Sequence, residues 1–156
     1  VPYRLRTARP ADFSALLQLY AAAVRGLAIE AYSHAQCEAW AAQALNNPQW
    51  PERLATAHVC LAEDENDVIA GFIAWSKDGH IDLLFTDPAH ARNGVATRLY
   101  AHAEGLLRAQ GIAHLHTEAS RLAQPFFSKH GFRIDAEESV VRNGETLQRF
   151  LMSKAF

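Results

Sequence analysis

The sequence predicts a mixed α/β (α+β) domain, with a mostly antiparallel central sheet, helices on both faces and a C-terminal β-hairpin. Three observations predict it. Between residues 57 and 86, three apolar runs are separated only by the polar turns Asp64-Glu65-Asn66-Asp67 and Lys77-Asp78-Gly79, the pattern of an antiparallel meander. From 80 to 119 an apolar run, an amphipathic helix and a second apolar run follow one another, a crossover that makes those two strands parallel. Near the C-terminus, Asn143-Gly144 sits between two strand-like runs, which is a type I′ hairpin turn.

Each element has a local reason. Tyr3 to Thr7 reads as a short strand. Pro10 and Asp12 open a helix, because proline suits a first turn and a carboxylate there favours the helix dipole. Phe13, Leu16, Leu17, Tyr20 and Val24 follow at helical spacing. Ser33-His34-Ala35-Gln36 is a capping box for a second helix through Trp40 to about Leu45, ended by Asn46-Asn47-Pro48. Residues 49–56 are ambiguous and fit at most a short helix. Strands follow at 57–62, 68–76 and 80–86. A long helix runs from about Gly94 to Gln110, with Val95, Leu99, Leu106 and Leu107 inward and Gly111 as its C-cap. A strand at 112–119, a short helix at 122–129 closed by His130-Gly131, and strands at 132–141 and 145–154 complete the order β-α-α-β-β-β-α-β-α-β-β.

The 156 residues suit one domain, 1–156, with a real core. Hydrophobic residues make up 49%, which excludes a disordered chain, and a formal net charge of −2 argues against a nucleic-acid or polybasic membrane-surface protein. Cys37 and Cys60 are far apart and outside any CxxC pair, so they read as buried free thiols of a reducing compartment. With no signal-peptide pattern and no apolar run that approaches the length of a membrane span, the expectation is a cytoplasmic protein.

The segment from Leu83 to Leu99 is the most informative. An apolar strand enters the Asp87-Pro88 turn, the loop Ala91-Arg92-Asn93-Gly94-Val95-Ala96 follows, and a helix starts at once. A helix N-terminus carries unpaired N–H donors and partial positive charge, so this junction suits a phosphate or pyrophosphate. Gly94 and Ala96 let a ligand approach the main chain closely.

This segment resembles the cofactor loop of the GNAT superfamily of acyl-CoA-dependent N-acyltransferases, Gln/Arg-x-x-Gly-x-Gly/Ala after a strand and a proline turn. Ala91 stands where the family usually has Gln or Arg, with Arg92 beside it to supply positive charge; Gly94 and Ala96 match. The element order is similar along the whole chain, while the specific motifs lie within 80–132. The resemblance implies acetyl-CoA (CoA) as cofactor, held by Leu84, Phe85, Thr86, Arg92, Asn93, Gly94, Val95, Ala96, Thr97, Phe126, Phe127 and Lys129. It further implies that backbone N–H groups near the end of the strand Leu83-Leu84-Phe85 polarise the acetyl carbonyl. In the segment Ala123 to Phe132 the family often carries a tyrosine that protonates the leaving thiolate. Here that position is Phe127, which has no proton to give, so water or Ser128 is left to replace it.

Asp82 interrupts an otherwise apolar central strand, where a carboxylate must be paired, desolvated or facing a cavity. It is the first candidate to bind or deprotonate the substrate amine, or else a structural partner of an arginine or tyrosine. Glu118, near the end of the neighbouring strand, is the second candidate base, or else a solvated strand-end carboxylate. His114 and His116 point to one face but lack a third ligand, so no metal is expected, and His130 reads as a helix end. By resemblance the first two helices form the acceptor wall. Tyr32, His34, Trp40, Trp50 and Trp75 are the aromatic residues available to it, Tyr32 foremost, and they favour an apolar or cationic acceptor.

The expected function is transfer of an acetyl group from acetyl-CoA to a primary amine of a small molecule or peptide, by direct attack in a ternary complex. The alternative is a non-catalytic acyl-CoA-binding or sensor module. A nucleotide-binding protein fares worse, since neither GxxxxGK[ST] nor GxGxxG after the first strand is present. The terminal hairpin offers an edge for a possible homodimer.

Overall fold

The capping box at Ser33 forms as its sequence implies. Gln36 N–H donates to Ser33 Oγ at 3.1 Å and Ser33 N–H donates to Gln36 Oε1 at 2.8 Å. A computed structural model describes residues 2–156. In chain order the elements are β1 (Arg4–Thr7), α1 (Phe13–Leu27), α2 (His34–Asn46), α3 (Trp50–Thr56), β2 (His58–Glu63), β3 (Ile69–Trp75), β4 (His80–Thr86), α4 (Val95–Ala109), β5 (His114–Ser120), α5 (Gln124–Lys129), β6 (Arg133–Arg142) and β7 (Glu145–Ala155). Single 3-10 turns precede α1 at Pro10–Asp12, follow it at Ala28–Glu30 and precede the α4 loop at Pro88–His90.

The seven strands form one sheet in the order β1-β2-β3-β4-β5-β7-β6. Among the described residues only β4 and β5 run parallel, as the crossover requires. The ambiguous stretch 49–56 is helical, with Pro51 in its first turn, where the missing N–H costs nothing. The fifth strand starts two residues later than the sequence suggests, because Ile112 N–H still closes the end of α4 on the Leu107 carbonyl at 3.1 Å. Likewise α5 starts at Gln124, not Leu122, since Ala123 N–H is held by Ser120 Oγ at 3.0 Å.

The helices divide between the two faces. Leu16, Leu17, Tyr20 and Val24 of α1, with Cys37, Ala41 and Ala44 of α2, pack on Leu61, Phe72, Ala74 and Leu83. On the other face Val95, Leu99, Tyr100 and Leu107 of α4 and Phe127 of α5 pack on Ile73, Trp75, Ile81, Leu115 and Met152. Strand β3 is therefore covered on both sides and is apolar throughout. Gly71 permits the closeness of α4, because a Cβ there would lie 2.8 Å from both the Phe85 carbonyl and a Val95 methyl. One expectation needs correcting. Pro10–Glu30 is a 21-residue helical stretch long and apolar enough to cross a membrane, but its Leu16–Tyr20–Val24 stripe is buried against the sheet.

Ile81 and Leu83 pack into opposite cores although they are two residues apart, whereas an unbroken strand would put both on one face. The cause is a β-bulge. The β3–β4 register jumps between Ala74↔Leu83 and Trp75↔Ile81, leaving Asp82 as the extra residue.

Candidate active site

The bulge adjoins a fork in the sheet. β4 pairs with β5 only at His80↔His116 and Ile81↔Thr117, where Thr117 Oγ1–H also donates to the Ile81 carbonyl at 2.8 Å. Beyond this point β5 continues with β7, and β4 continues with β3. Asp87 N–H donates to Ala70 O on the β3 side at 2.8 Å. Alternation along the strand then turns the Leu84 and Thr86 amides toward the free edge of β4. A cleft of about 290 Å³ opens at the fork. One wall is Tyr20, Trp40, Trp50 and Phe85; the other includes Leu84, Ala96, Phe126 and Phe127.

At one end of this cleft α4 begins. Gly94 is its N-cap, with φ of 79°, and among the described residues no side chain caps it. Arg98 N–H is the one that bonds back to the Gly94 carbonyl, at 3.1 Å, so the N–H groups of Val95, Ala96 and Thr97 have no partner within the helix. A Cβ on Gly94 would meet nothing within 4 Å, so space is open beside this amide cluster. Arg92 also has positive φ, 64°, a conformation costing about 1 kcal/mol for a non-glycine residue. Arg92, Asn93 and Thr97 are exposed, while the Val95 side chain is buried in the core beneath. The loop is anchored from behind. Tyr3 Oη meets His90 Nδ1 at 3.0 Å, His90 Nε2 lies 3.5 Å from Asp64, and Arg98 Nη1 donates to the Tyr3 carbonyl at 2.6 Å.

The aromatic pair of α5 divides its work. Phe127 is 3% exposed and meets Tyr100 and Phe132 edge-on, while half-buried Phe126 packs on His130. Both touch the cleft. Ser128 is exposed and its Oγ accepts from Gln124 Nε2 at 2.7 Å, outside the cleft lining, so it is not placed to replace the missing tyrosine. Lys129 is exposed in the last turn of α5, also outside the cleft. His130 Nδ1 is bonded to the Phe126 carbonyl at 2.9 Å, the plain helix-end role.

Both candidate carboxylates line the fork. Asp82 is paired: Arg53 Nη2 lies 2.6 and 2.8 Å from its two oxygens, and the same guanidinium sits 4.1 Å over the Trp50 ring. Glu118 is bonded to His80 Nε2 through both oxygens, at 3.0 and 2.9 Å. It is thus not a freely solvated strand end. The hydrogen bond and charge of Glu118 hold the His80 imidazole above its ordinary pKa, against the opposing effect of burial. His80 in turn holds Glu118 below the usual carboxylate range. His116 stacks on His80 at 4.8 Å. Among the described residues no group of three His, Cys, Asp or Glu is placed to hold a metal.

The far end of the cleft is built from side chains. Tyr20 stacks on Phe85 at 4.1 Å and accepts a hydrogen bond from Trp40 Nε1 at 2.8 Å. Burial pushes its phenol up to about 12, so it stays neutral. Tyr32 lines the cleft with its ring, but its hydroxyl is structural: it donates to Gln148 O at 2.6 Å and accepts from Arg121 N–H at 2.8 Å, tying β7 to the turn after β5. Trp40 and Trp50 reach the cleft, whereas Trp75 packs in the opposite core and His34 is exposed on α2. The hairpin adds Val140, Arg142, Leu147 and Arg149. Sequence reading missed Arg53, Arg142 and Arg149. Arg53 lay in the ambiguous stretch, and nothing local distinguishes a hairpin arginine that faces a cleft. Cys37 and Cys60 are buried free thiols, as expected.

Residues 28–154 match the family model described as an acetyltransferase (GNAT) domain. The chain belongs to the GNAT acetyltransferase family. It is 32% identical over 149 residues to an Escherichia coli K12 protein described as the uncharacterized N-acetyltransferase YafP, covering 96% of this chain and 93% of that one. A crystal structure described as a GCN5-related N-acetyltransferase, aminotransferase class-II, from Rhodopseudomonas palustris superposes with a TM-score of 0.93 at 30% identity, covering 100% of this chain and 97% of that one. The PaiA N-acetyltransferase of Thermoplasma acidophilum, solved with coenzyme A, shares the fold with a TM-score of 0.77 at 16% identity, covering 100% of both chains. The forked sheet and the uncapped start of α4 are thus features of a GNAT domain. The mixed sheet with helices on both faces, expected from the sequence, is that family's fold.

Proposed function

We propose that this GNAT domain transfers an acetyl group from acetyl-CoA to a primary amine by direct attack, with both reactants held in the one cleft. The observation that carries the reading is the fork at Ile81/Thr117. It places two carboxylates, the free β4 edge and the uncapped α4 N-terminus around one opening. The donor set fits the cofactor. A diphosphate needs clustered N–H donors and no intruding side chain, which the amides from Gly94 to Thr97 and the open space at Gly94 supply. Exposed Arg92 adds positive charge at the same loop, and Phe126 and Phe127 offer an apolar wall for a pantetheine arm.

Bound acetyl-CoA supplies an acetyl group already activated as a thioester, so that an amide forms as the thioester is consumed. The Leu84 and Thr86 amides are the donors available to a developing oxyanion at the free strand edge. Asp82 and Glu118 attract the acceptor's ammonium group. In its neutral form His80, hydrogen-bonded to Glu118 and held more basic than usual, takes the ammonium proton. Asp82, fixed by Arg53, orients the amine. A thiolate is a tolerable leaving group near neutral pH, so a protein acid at position 127 is not essential.

The phenyl ring at Phe127 favours a second reading, a module that binds acyl-CoA without turnover. Calorimetry with acetyl-CoA, followed by thiol release over an amine panel, separates the two. Release that falls with Asp82→Asn or Glu118→Gln supports the transferase. Binding without release across the panel favours the module, and no binding of coenzyme A at millimolar concentration overturns both.

A further inference from the structure

The charges lining the acceptor end do not all find partners within the protein. Asp82 is taken by Arg53, Glu118 by His80 and Arg149 by Glu138. Arg142 remains. It ends β6 immediately before the Asn143-Gly144 turn. Among the described residues it forms no ion pair, not even with its cross-strand neighbour Glu145. Its side-chain hydrogen bond is donated by Nη1 to the adjacent Val141 carbonyl at 3.1 Å. Yet Arg142 is half-buried as a residue and lines the same cleft as Tyr20, Trp40 and Trp50. Its charge is close enough to act on the Tyr20 hydroxyl, as do those of Asp82 and Arg53.

The fold derives no ion pair from this cation. A guanidinium is also a planar fork that matches a carboxylate or phosphonate with two parallel hydrogen bonds. Of the neighbouring polar groups of that wall, Trp40 Nε1 donates to the Tyr20 hydroxyl and the Tyr32 hydroxyl is bonded on both sides, while Trp50 Nε1 has no partner among the described residues. Among the described residues, Arg142 is the cation on this wall without a carboxylate partner.

Resting on the acetyl-transfer reading above, we propose that the acceptor is a small amine that also carries an anionic group on an apolar or aromatic body. A free amino acid with a large apolar side chain is the simplest member of this class. Its ammonium group lies at the Asp82–Glu118 fork, its anion on Arg142, and its body against Tyr20 and Trp40. Arg142 is then a specificity-determining residue.

The test compares L-phenylalanine, L-tryptophan and L-methionine with their carboxamides. Turnover is read as thiol release from acetyl-CoA, and binding of the same ligands by calorimetry with coenzyme A present. The wild type is expected to prefer acids over amides by about tenfold or more in kcat/KM and in affinity, the worth of a charge-assisted fork contact. Arg142→Ala should bring the ratio to within about twofold, and Arg142→Lys to an intermediate value, since charge survives but the fork does not. Arg142→Lys also covers the case in which the alanine variant fails to fold. Amides that match or exceed acids in the wild type, an acid preference that survives Arg142→Ala, or acids that do not bind at millimolar concentration each overturn the proposal. Acid binding that depends on Arg142 without thiol release would uphold it while overturning acetyl transfer. Release from amides alone would do the reverse.

Discussion

The two ends of the cleft offer a ligand different means of recognition. At the α4 end the donors are main-chain amides, and the side chains around them are small, exposed or turned away into the core. At the hairpin end the lining consists of aromatic rings and charges, paired except for Arg142, drawn from α1, α2, α3, β4, β5, β6 and β7. A backbone site depends on φ, ψ and open space, so it tolerates most side-chain changes and few conformational ones. A side-chain site reverses that sensitivity. One end can therefore serve a constant cofactor while the other diverges with the acceptor.

The sharpest break in this comparison should come from single-atom changes at the fork. Asp82→Asn and Glu118→Gln keep size and shape but remove charge. Each is expected to lower kcat/KM for thiol release by about 10²-fold or more, with acetyl-CoA affinity unchanged within about threefold, as measured by calorimetry. Full turnover in both variants would remove the carboxylates from the mechanism.

At the backbone end, Gly94→Val should weaken coenzyme A binding by about tenfold or more, because the left-handed φ disfavours a β-branched residue and its methyls fill the space beside the amides. Arg92→Ala should weaken it by only about threefold, the worth of an exposed charge. Arg92→Ala proving the more damaging of the two would reverse the assignment of backbone and side-chain roles.

Tyr32→Phe tests whether that hydroxyl serves stability instead of substrate. Losing its bonds to Gln148 O and Arg121 N–H should cost about 1–2 kcal/mol in denaturant unfolding. The kcat for a saturating amine should hardly change. A large fall in kcat at unchanged stability would move Tyr32 into the acceptor site.

The smallest expected effect is on pH dependence. His80 is held above its ordinary 6.5, so its contribution to stability is full below 6.5 and is lost as pH rises through the higher folded value. Glu118 is held below its ordinary 4.5, so its contribution is full above 4.5 and is lost as pH falls through the lower folded value. The Tm difference between wild type and Glu118→Gln should therefore be greatest between pH 4.5 and 6.5, shrinking on either side. A difference that grows toward alkaline pH would contradict the pairing.

What could be read from the sequence follows the same division. The hairpin, the capping box and the α4 loop depend on neighbouring residues, Asn143-Gly144, Ser33 with Gln36, and Gly94 beside the new helix, so local chemistry fixes them. Asp82 announces itself as a carboxylate in an apolar strand, but its partner Arg53 is 29 positions away, and His80 and Glu118 are 38 apart. Such pairings depend on how the bulge and fork orient β4, which periodicity does not encode. The bulge is also why Asp82 is tolerated: an extra residue at the fork leaves the strand alternation and meets a cation. Ser128 as a stand-in acid failed for the same reason, since exposure on α5 depends on how that short helix seats Phe127 in the core.

Main-chain amides at the start of α4 are proposed to grip a diphosphate, and calorimetric titration of the wild-type protein with coenzyme A and with pantetheine tests this most directly. Pantetheine keeps the thiol arm and lacks the diphosphate. Coenzyme A binding about 100-fold or more tighter than pantetheine is the expected result. Equal affinities, or no heat with coenzyme A at all, would contradict it.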